Sequence, residues 1–518
     1  MVDGAPRRAA EPAAGERVRR RTVLGIVGAA ALSSALSSCG TSAPGGATKA
    51  PATGGSASPA RVGTVLLDVV DASGSRLTWE ALREMQSAGA GDEGYDDVLL
   101  DSDTLQAVFG APLYEIDGAS AALDLPDGGP WVLSLSWPTS HGYSALLADL
   151  PGPGRYCLTE LAARSLHERQ PARAEALPAE EDRQAVETLR TATTSALESC
   201  EASADPLVRA VHGTEALEAA ATAQLALDEA CAALAPEDAV IGVTFTEPPS
   251  GEQVAQTAQV GAGARRAAAR IVVADPEDTE ELGAWATTID QLHEVGSLAM
   301  VQVCDSDAMA ELDDDAWDAR VTTLLSALPA ADAWEIGNEL GGSWLGEGVV
   351  GKVRRAGQAV RANPATTGAT TVVTLYYQLG QDTVDSSLLT WARANLTPEL
   401  LAVTDVVGLS VYPQWHPLGT GADRVLSALA DCAPAQRLAL TELGYGAEDL
   451  DDGPWWFGSA QDLSTARSAT ARHLTSAALG RDGSWGAPFW WYYLQDDRPS
   501  APGEPVGEVL AAVADDLS

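Results

Sequence analysis

Two glutamates at matching positions are the strongest candidates for chemistry in this sequence. Glu339 closes the run WEIGNE, residues 334–339, and Glu442 closes LALTE, residues 438–442. Each run is typical of a short buried strand that ends on a carboxyl group, and Asn338 adds an amide beside Glu339. A fixed carboxyl group with a hydrogen-bonding neighbour suits general acid catalysis, and paired carboxyl groups can cleave a glycosidic bond. We therefore predict that Glu339 and Glu442 face each other across one sugar-binding cleft.

The elements that would position these glutamates form a strand–helix alternation over residues 237–518. Apolar runs separated by segments long enough for helices indicate a parallel sheet covered on both faces. The eight predicted strands are residues 240–245, 269–274, 298–303, 333–337, 371–375, 406–411, 437–441 and 488–493. Eight repeats predict an α/β (β/α)8 TIM barrel, in which chemistry lies at the carboxyl ends of the strands. Glu339 ends the fourth strand and Glu442 the seventh.

Segments of the predicted barrel resemble a known group of enzymes. Asn338-Glu339 after strand four and Glu442 after strand seven resemble the clan-A retaining glycoside hydrolases, and DVVGLSVYPQWH, residues 405–416, is similar to the strand-six region of the endo-β-galactanase family. The resemblance covers the barrel only. It implies hydrolysis of a β-linked poly- or oligosaccharide by double displacement, with Glu339 as acid/base and Glu442 as nucleophile. Strand eight departs from the galactanase pattern, since FWWYY is followed by QDD at 495–497.

Arg270 in the second strand has two possible roles. The resemblance implies an arginine beside the nucleophile, where it would hold Glu442 ionised. Glu335 shares alternation parity with Glu339 and is predicted to be a buried ion-pair partner of Arg270, which would instead make the arginine part of a core salt bridge. Tyr412, after strand six, is predicted to donate a hydrogen bond to Glu442.

Three further residues are expected to contact the sugar. Asn338 is predicted to hydrogen-bond the 2-hydroxyl, a contact that strengthens in the transition state. Trp490 and Trp491 point to opposite faces of a strand, so we predict that Trp490 packs in the core and Trp491 stacks on the sugar. Trp415 lies on a loop beyond a strand end, where aromatic side chains more often bind ligand.

The residues before the barrel are predicted to form two further parts. Residues 61–156 contain short runs bounded by Gly, Pro and Asp, which is typical of a β-sandwich. The predicted strands are residues 62–70, 97–100, 113–116, 121–125, 131–137 and 143–148. Its aromatic residues Trp131, Trp137 and Tyr143 are expected in the core rather than as sugar platforms. Residues 157–236 show helical spacing, with breaks expected near Pro171 and Pro206. An antiparallel pair of helices there would allow a Cys157–Cys200 disulfide.

The N-terminus has the pattern of an export signal. RRRTVL at 19–24 precedes a short apolar run, and LSSC at 36–39 resembles a bacterial lipobox. We predict a twin-arginine-like signal peptide over residues 1–38, lipidation at Cys39 and a flexible linker over residues 39–60. The protein would then be exported and lipid-anchored to the extracytoplasmic face of the cell membrane. The alternative is an ordinary secretory signal with an incidental cysteine.

Composition narrows the function further. A formal net charge of −41, from 73 acidic and 32 basic residues, argues against nucleic-acid binding, because phosphate contacts need basic patches. Six scattered histidines and cysteines without CxxC spacing predict neither a metal site nor a cofactor. A carbohydrate is the expected partner, and the oligomeric state stays open. The alternative to a hydrolase is a non-catalytic glycan-binding surface lipoprotein on a glycosidase-like barrel.

Overall fold

The computed structural model describes residues 61–86, 97–381, 383–413, 415–445, 463–498, 501 and 503–516. The predicted signal peptide, Cys39 and the whole of the predicted linker lie outside these residues, so lipidation and membrane anchoring stay predictions. Among the described helices, none has the length and apolarity needed to cross a membrane.

Eight parallel strands close into a barrel, as predicted. Their bounds are β8 Val240–Phe245, β9 Arg266–Val272, β10 Leu298–Gln302, β11 Ala333–Leu340, β12 Thr370–Tyr376, β13 Val406–Val411, β14 Arg437–Leu443 and β15 Ser484–Trp490. Each strand pairs with the next along the chain, and β15 pairs with β8 to close the sheet. The carboxyl ends of all eight strands therefore meet at one mouth of the barrel.

Helices surround this barrel. Their bounds are α5 Gly251–Thr257, α6 Thr279–Glu294, α7 Ser306–Met309, α8 Asp314–Ala327, α9 Val349–Ala362, α10 Leu388–Asn395, α11 Pro398–Leu401, α12 Ala422–Cys432, α13 Leu463–Leu479, α14 Tyr493–Asp496 and α15 Val506–Asp516. The outward faces of the strands and the inward faces of these helices share the largest apolar core of the described chain. This packing fixes the strand ends against one another.

The barrel interior changes from apolar to polar along the strands. Its lower layer consists of Val240, Ala268, Met300, Ala333, Val372, Val406, Ala439, Trp485 and Phe489. Because side chains on one face recur every second residue, the next inward positions above Ala268 and Ala333 are Arg270 and Glu335, both fully buried. A charged layer therefore lies between the apolar floor and the mouth.

Strand eight begins earlier than predicted. We expected residues 488–493. The structure places β15 at Ser484–Trp490, with Pro488 inside it, and its pairing with β8 shifts register between Pro488 and Trp490. Phe489 within that shift has a φ of 49°. Because this register shift depends on the pairing with β8, the apolar run alone does not show where the strand begins.

The residues before the barrel form two small sheets. The strands are β1 Arg61–Asp68, β2 Val98–Asp101, β3 Ala107–Gly110, β4 Ala121–Pro126, β5 Trp131–Thr139, β6 Gly142–Leu150 and β7 Gly154–Cys157, with helix α1 at Trp79–Gln86. One sheet has the order β4-β1-β7 and includes a parallel pair, and the other has the order β3-β2-β5-β6. The predicted β-sandwich is not confirmed in that form.

The four-stranded sheet is buried on both faces. Val132 and Leu147 belong to the core shared with the barrel, whereas Leu133 and Leu146 belong to a second core that also includes helix residues. Trp137 and Tyr143 are both buried, which confirms the core interpretation for these two aromatic residues. The sheet is therefore an internal layer of the molecule.

Three long helices follow, α2 Leu158–Ala176, α3 Glu180–Ala202 and α4 Pro206–Ala232. The break expected near Pro206 is confirmed, since Asp205 caps α4 and Pro206 is its first residue. The break expected at Pro171 is wrong, because α2 continues through it. Proline removes one intrahelical hydrogen bond, and the packing of Gln170, whose side-chain amide donates to the Ala220 carbonyl at 3.0 Å, holds the helix here.

The predicted Cys157–Cys200 disulfide is also wrong, since both thiols are free and buried. The Cys157 sulfur caps the start of α2 by accepting from the Glu160 amide at 3.4 Å. The end of α3 does lie beside the start of α2, where Arg164 forms an ion pair with Glu201 at 2.9 Å. The helices thus have the expected neighbours without the covalent link.

Contacts between the four-stranded sheet and the barrel support the segment that follows β13. Arg424 forms an ion pair with Asp149 on β6 at 2.8 Å, and the Ala145 amide donates to the Leu418 carbonyl at 3.3 Å. The Thr420 amide donates to Ser144 Oγ at 3.2 Å. The sheet thereby anchors the chain just after Tyr412 and Trp415, at the barrel mouth.

Candidate active site

The predicted site residues meet at the mouth of the barrel. Arg270 comes from β9, Asn338 and Glu339 from β11, Tyr412 from just after β13, and Glu442 from β14. All five are linked by hydrogen bonds or charge, although they are spread over more than 170 residues of sequence. The five residues therefore lie together at the carboxyl ends of the strands.

Glu442 is surrounded by donors. The Arg270 guanidinium lies 2.8 Å from its Oε2, the Asn338 amide donates to the same oxygen at 3.1 Å, and the Tyr412 hydroxyl donates to Oε1 at 2.5 Å. The carboxyl group is almost completely buried, with 3% of the residue exposed. Three donors, one of them cationic, are the surroundings of a carboxylate held in one orientation.

Arg270 fills both of the roles that the sequence left open. It donates through Nε and Nη2 to the two oxygens of Glu335, at 2.8 and 3.1 Å, and the same Nη2 reaches Glu442. Burial alone would lower the pKa of Arg270, but the two carboxylates raise it well above its ordinary value. The guanidinium is thus a permanent charge that joins the core ion pair to the mouth.

Glu335 has the structural position that was predicted for it. It is fully buried, and besides Arg270 it accepts a hydrogen bond from Thr374, which in turn contacts Thr441 at 2.7 Å. Burial raises the pKa of Glu335, and the charge of Arg270 opposes that rise. The pair fixes Arg270 from below, so the guanidinium can orient Glu442 without moving.

Glu339 has a different environment from Glu442. Its two oxygens accept hydrogen bonds from neutral hydroxyl groups, Ser306 Oγ at 2.7 Å and Ser410 Oγ at 2.8 Å. Burial, followed by the charge of Glu442, raises the pKa of Glu339 to about 8. A carboxyl group with that pKa carries its proton at neutral pH.

The backbone at Glu339 is strained in order to present this side chain. Its φ is 49°, in the left-handed region that few residues other than glycine adopt, and pairing between β11 and β12 shifts register between Gly337 and Leu340. Such strain persists only where the surroundings hold it, which here are the two serine hydroxyls. Backbone strain at a carboxyl-bearing strand end is a common property of functional sites.

Asn338 and the aromatic residues surround the two glutamates. The Asn338 side-chain oxygen accepts from the Ser306 amide at 3.0 Å, which fixes the amide that donates to Glu442. Trp491 lies over the Arg270 guanidinium at 5.1 Å, and Trp415 tilts against Tyr412 with ring centroids 5.4 Å apart. Trp490 is fully buried, as its predicted packing role requires. The predicted sugar contacts of Asn338, Trp491 and Trp415 stay predictions.

Three residues of the site were not predicted from the sequence. Ser306 and Ser410 hold Glu339. Asp305 lies close enough to Glu442 for that charge to raise the pKa of Asp305, and the charge of Asp305 raises the pKa of Glu339. Ser410 is a polar residue inside the apolar strand β13, which was a visible signal. Asp305 and Ser306 come soon after β10, separated from it by Val303 and Cys304, and the rule that strand ends carry chemistry could have drawn attention to them.

Among the described residues, no group of three or more His, Cys, Asp and Glu side chains has an arrangement suited to a metal ion. The carboxylate oxygens of Glu339 and Glu442 are instead engaged by protein donors. The arrangement is therefore one that can exchange protons and attack an electrophile through the side chains themselves.

No protein-family model matches this chain, and no curated protein sequence is significantly similar to it. Similar solved structures include a fungal beta-1,4-galactanase, with 14% identity and a TM-score of 0.40 over 54% of this chain and 100% of that chain. A GH5_18 protein from Streptomyces cattleya in complex with GlcNAc has 14% identity and a TM-score of 0.38 over 55% and 81% of the two chains. A thiamine phosphate pyrophosphorylase from Pyrococcus furiosus has 12% identity and a TM-score of 0.29 over 54% and 96%. Likeness this low gives no information on the reaction, which must be argued from the site.

Proposed function

We propose that this protein is a retaining glycoside hydrolase that cleaves a β-linked poly- or oligosaccharide by double displacement. The observation that carries the proposal is the pairing, at one barrel mouth, of two glutamates with opposite surroundings. Glu442 accepts from a guanidinium, an amide and a phenol. Within the described residues, Glu339 accepts hydrogen bonds from two neutral hydroxyls, and its pKa is raised to about 8. A carboxylate fixed among donors and a carboxyl group that keeps its proton are the two groups this reaction needs.

The first step uses both groups together. Glu339 donates its proton to the glycosidic oxygen while a Glu442 oxygen attacks the anomeric carbon, so the bond between that carbon and the glycosidic oxygen breaks. The products of this step are a free alcohol and a glycosyl ester on Glu442. In the second step Glu339, now a carboxylate, removes a proton from water, and the water oxygen displaces Glu442. Two inversions at one carbon give net retention.

The surrounding residues support this division of roles. Arg270, Asn338 and Tyr412 hold Glu442 in one orientation, which lowers the cost of arranging the attack. Arg270 is itself held by Glu335, so a residue that never meets the substrate contributes to the position of the nucleophile. Trp491 lies beside Arg270 and Trp415 beside Tyr412, and these contacts with the site support the proposal that their aromatic faces stack on a sugar ring.

The proposal is tested by hydrolysis of a panel of aryl β-glycosides and β-linked oligosaccharides by the wild-type protein. We expect turnover of at least one member, with the β-anomer as the first product seen by proton NMR. If the α-anomer forms first, the reaction is inverting and the assigned roles are wrong. If a glycan binds without being cleaved at any pH, the protein is instead the non-catalytic glycan-binding lipoprotein.

The raised pKa of Glu339 predicts the alkaline limit of activity. The acid is competent only while protonated, so kcat/KM for an unactivated substrate should fall as pH rises through about 8. With an aryl glycoside whose leaving group needs no proton, the fall of kcat/KM at alkaline pH should be smaller. The measurement is kcat/KM between pH 5 and pH 10 for both substrates, and an unactivated substrate cleaved equally well at both ends would contradict the role of Glu339.

A further inference from the structure

A third carboxyl group, Asp305, lies at the same barrel mouth. It follows β10 after two residues and begins α7, so it occupies the end of the third barrel strand. The next residue, Ser306, donates its hydroxyl to Glu339 and its amide to Asn338. Because these two bonds fix Ser306 against the catalytic pair, Asp305 is fixed beside the pair as well.

Charge links Asp305 to both glutamates. Burial, followed by the charge of Glu442, raises the pKa of Asp305 to about 7, while Arg270 opposes the rise. The charge of Asp305 in turn raises the pKa of Glu339. Asp305 therefore lies within the electrostatic reach of both glutamates, and its link to Ser306 places it at the same barrel mouth.

Asp305 differs from the two glutamates in its hydrogen bonds. Both oxygens of Glu442 and both oxygens of Glu339 accept from protein donors. Asp305 accepts from the Asp307 amide through Oδ1, at 3.2 Å, and in the described part of the chain no donor reaches its Oδ2. The residue as a whole keeps part of its surface exposed, and Oδ2 retains the capacity to accept a further hydrogen bond.

A sugar in the reacting subsite supplies the donors that Asp305 lacks. The anomeric carbon must lie against Glu442, and the ring hydroxyls nearest to that carbon are those at C2 and C3. We propose that Asp305 accepts a hydrogen bond from one of these two hydroxyls and so selects sugars that carry it free. The inference rests on the proposed function, and it makes Asp305 a substrate-contacting residue that determines specificity.

The proposal is tested by a cycle of protein and substrate changes. The wild-type protein, Asp305→Ala and Asp305→Asn are each given the best aryl β-glycoside from the panel together with its 2-deoxy and 3-deoxy forms. We expect Asp305→Ala to lower kcat/KM for the parent substrate about 10- to 100-fold, the range for a lost hydrogen bond to a charged group. With the wild-type protein, one of the two deoxy substrates should have a similarly reduced kcat/KM. Asp305→Ala should lower kcat/KM for that substrate little further. The deoxy penalty is the loss of kcat/KM that follows removal of the hydroxyl from the substrate. If Asp305 only held the fold, this penalty would be the same in Asp305→Ala as in the wild type.

The pH profile gives a second readout. Because the charge of Asp305 helps to raise the pKa of Glu339, Asp305→Asn should move the alkaline limb of kcat/KM to lower pH. Asparagine keeps the volume and an oxygen that can cap α7, so this variant stays informative where alanine fails to fold. Glu311→Gln, at an exposed carboxylate of the same region, is the matched control and should change neither readout.

The outcomes separate this inference from the function on which it rests. If the wild-type protein cleaves the parent glycoside but the deoxy penalty is the same in Asp305→Ala, the hydroxyl contact is wrong and the hydrolase assignment survives. If the wild-type protein cleaves no glycoside, the proposed function fails and the inference falls with it. A deoxy penalty that disappears in Asp305→Ala supports both.

Discussion

Glu442→Ala is expected to lose turnover by about 10⁴-fold or more on every substrate, activated or not. The nucleophile takes part in both steps of double displacement, and a good leaving group cannot replace it. The measurement is kcat with the best aryl β-glycoside, compared with Glu347→Ala, an exposed glutamate on the loop after the fourth strand. A 2-deoxy-2-fluoro glycoside with a reactive leaving group should also label the wild-type protein, with the sugar ester found on Glu442 by peptide mass spectrometry.

The variant must be shown to fold, because it leaves Arg270, Asn338 and Tyr412 without their shared acceptor. Buried donors without a partner cost stability, so Glu442→Gln, which keeps one acceptor oxygen, is the companion variant. Both should retain the wild-type circular dichroism spectrum. A folded Glu442 variant with wild-type turnover would end the hydrolase proposal.

The barrel could be predicted because its signals are local. Each strand is a short apolar run, and each is followed by a segment of helical length, so order and number can be counted along the chain. Strand two, predicted at residues 269–274, lies at Arg266–Val272, and strand eight was displaced at the register shift beside Pro488. A shift of this kind depends on the neighbouring strand and leaves no mark in the run itself.

The N-terminal sheets were harder to predict from the sequence, because the pairing of their strands is set by contacts between residues distant in sequence. Alternation predicted strands such as β5 and β6 correctly, but residues 113–116 form only an isolated bridge at Tyr114. β7 was missed, and it pairs in parallel with β1 almost 90 residues earlier. Period two shows that a segment can form a strand without showing which sheet it joins.

The residues of the candidate site likewise fall into those with a local sequence signal and those placed by contacts distant in sequence. Glu339, Glu442, Arg270 and Tyr412 could be singled out because charged or phenolic groups at the ends of apolar strands are unusual. Ser306 lies 33 residues from Glu339 and Ser410 lies 71 residues from it, and serine is common in loops. What gives these serines a role is the strand order around the barrel, which brings β10 and β13 to Glu339.

Glu339→Ala should distinguish the role of the general acid from that of the nucleophile. For an unactivated β-glycoside, kcat/KM is expected to fall by about 10²- to 10⁴-fold, the usual contribution of a general acid. For a 2,4-dinitrophenyl glycoside it should stay within about tenfold of wild type, because that leaving group departs without a proton and kcat/KM reports the first step. The contrast between the two substrates is diagnostic, since damage to the fold would lower both rates alike.

The second step of the same variant gives an independent check. Without Glu339 no base activates water, so the glycosyl ester on Glu442 should accumulate and kcat for the dinitrophenyl substrate should fall. Azide needs no base, and it fits the space that the missing carboxyl group leaves between Ser306 and Ser410. Adding azide should therefore raise kcat and yield a β-glycosyl azide, identified by NMR.

The double variant Ser306→Ala/Ser410→Ala is the control. It keeps the carboxyl group and removes its donors, so it should remain active and show no rescue by azide. Rescue of Glu442→Ala by azide with an α-azide product, and none of Glu339→Ala, would exchange the two roles.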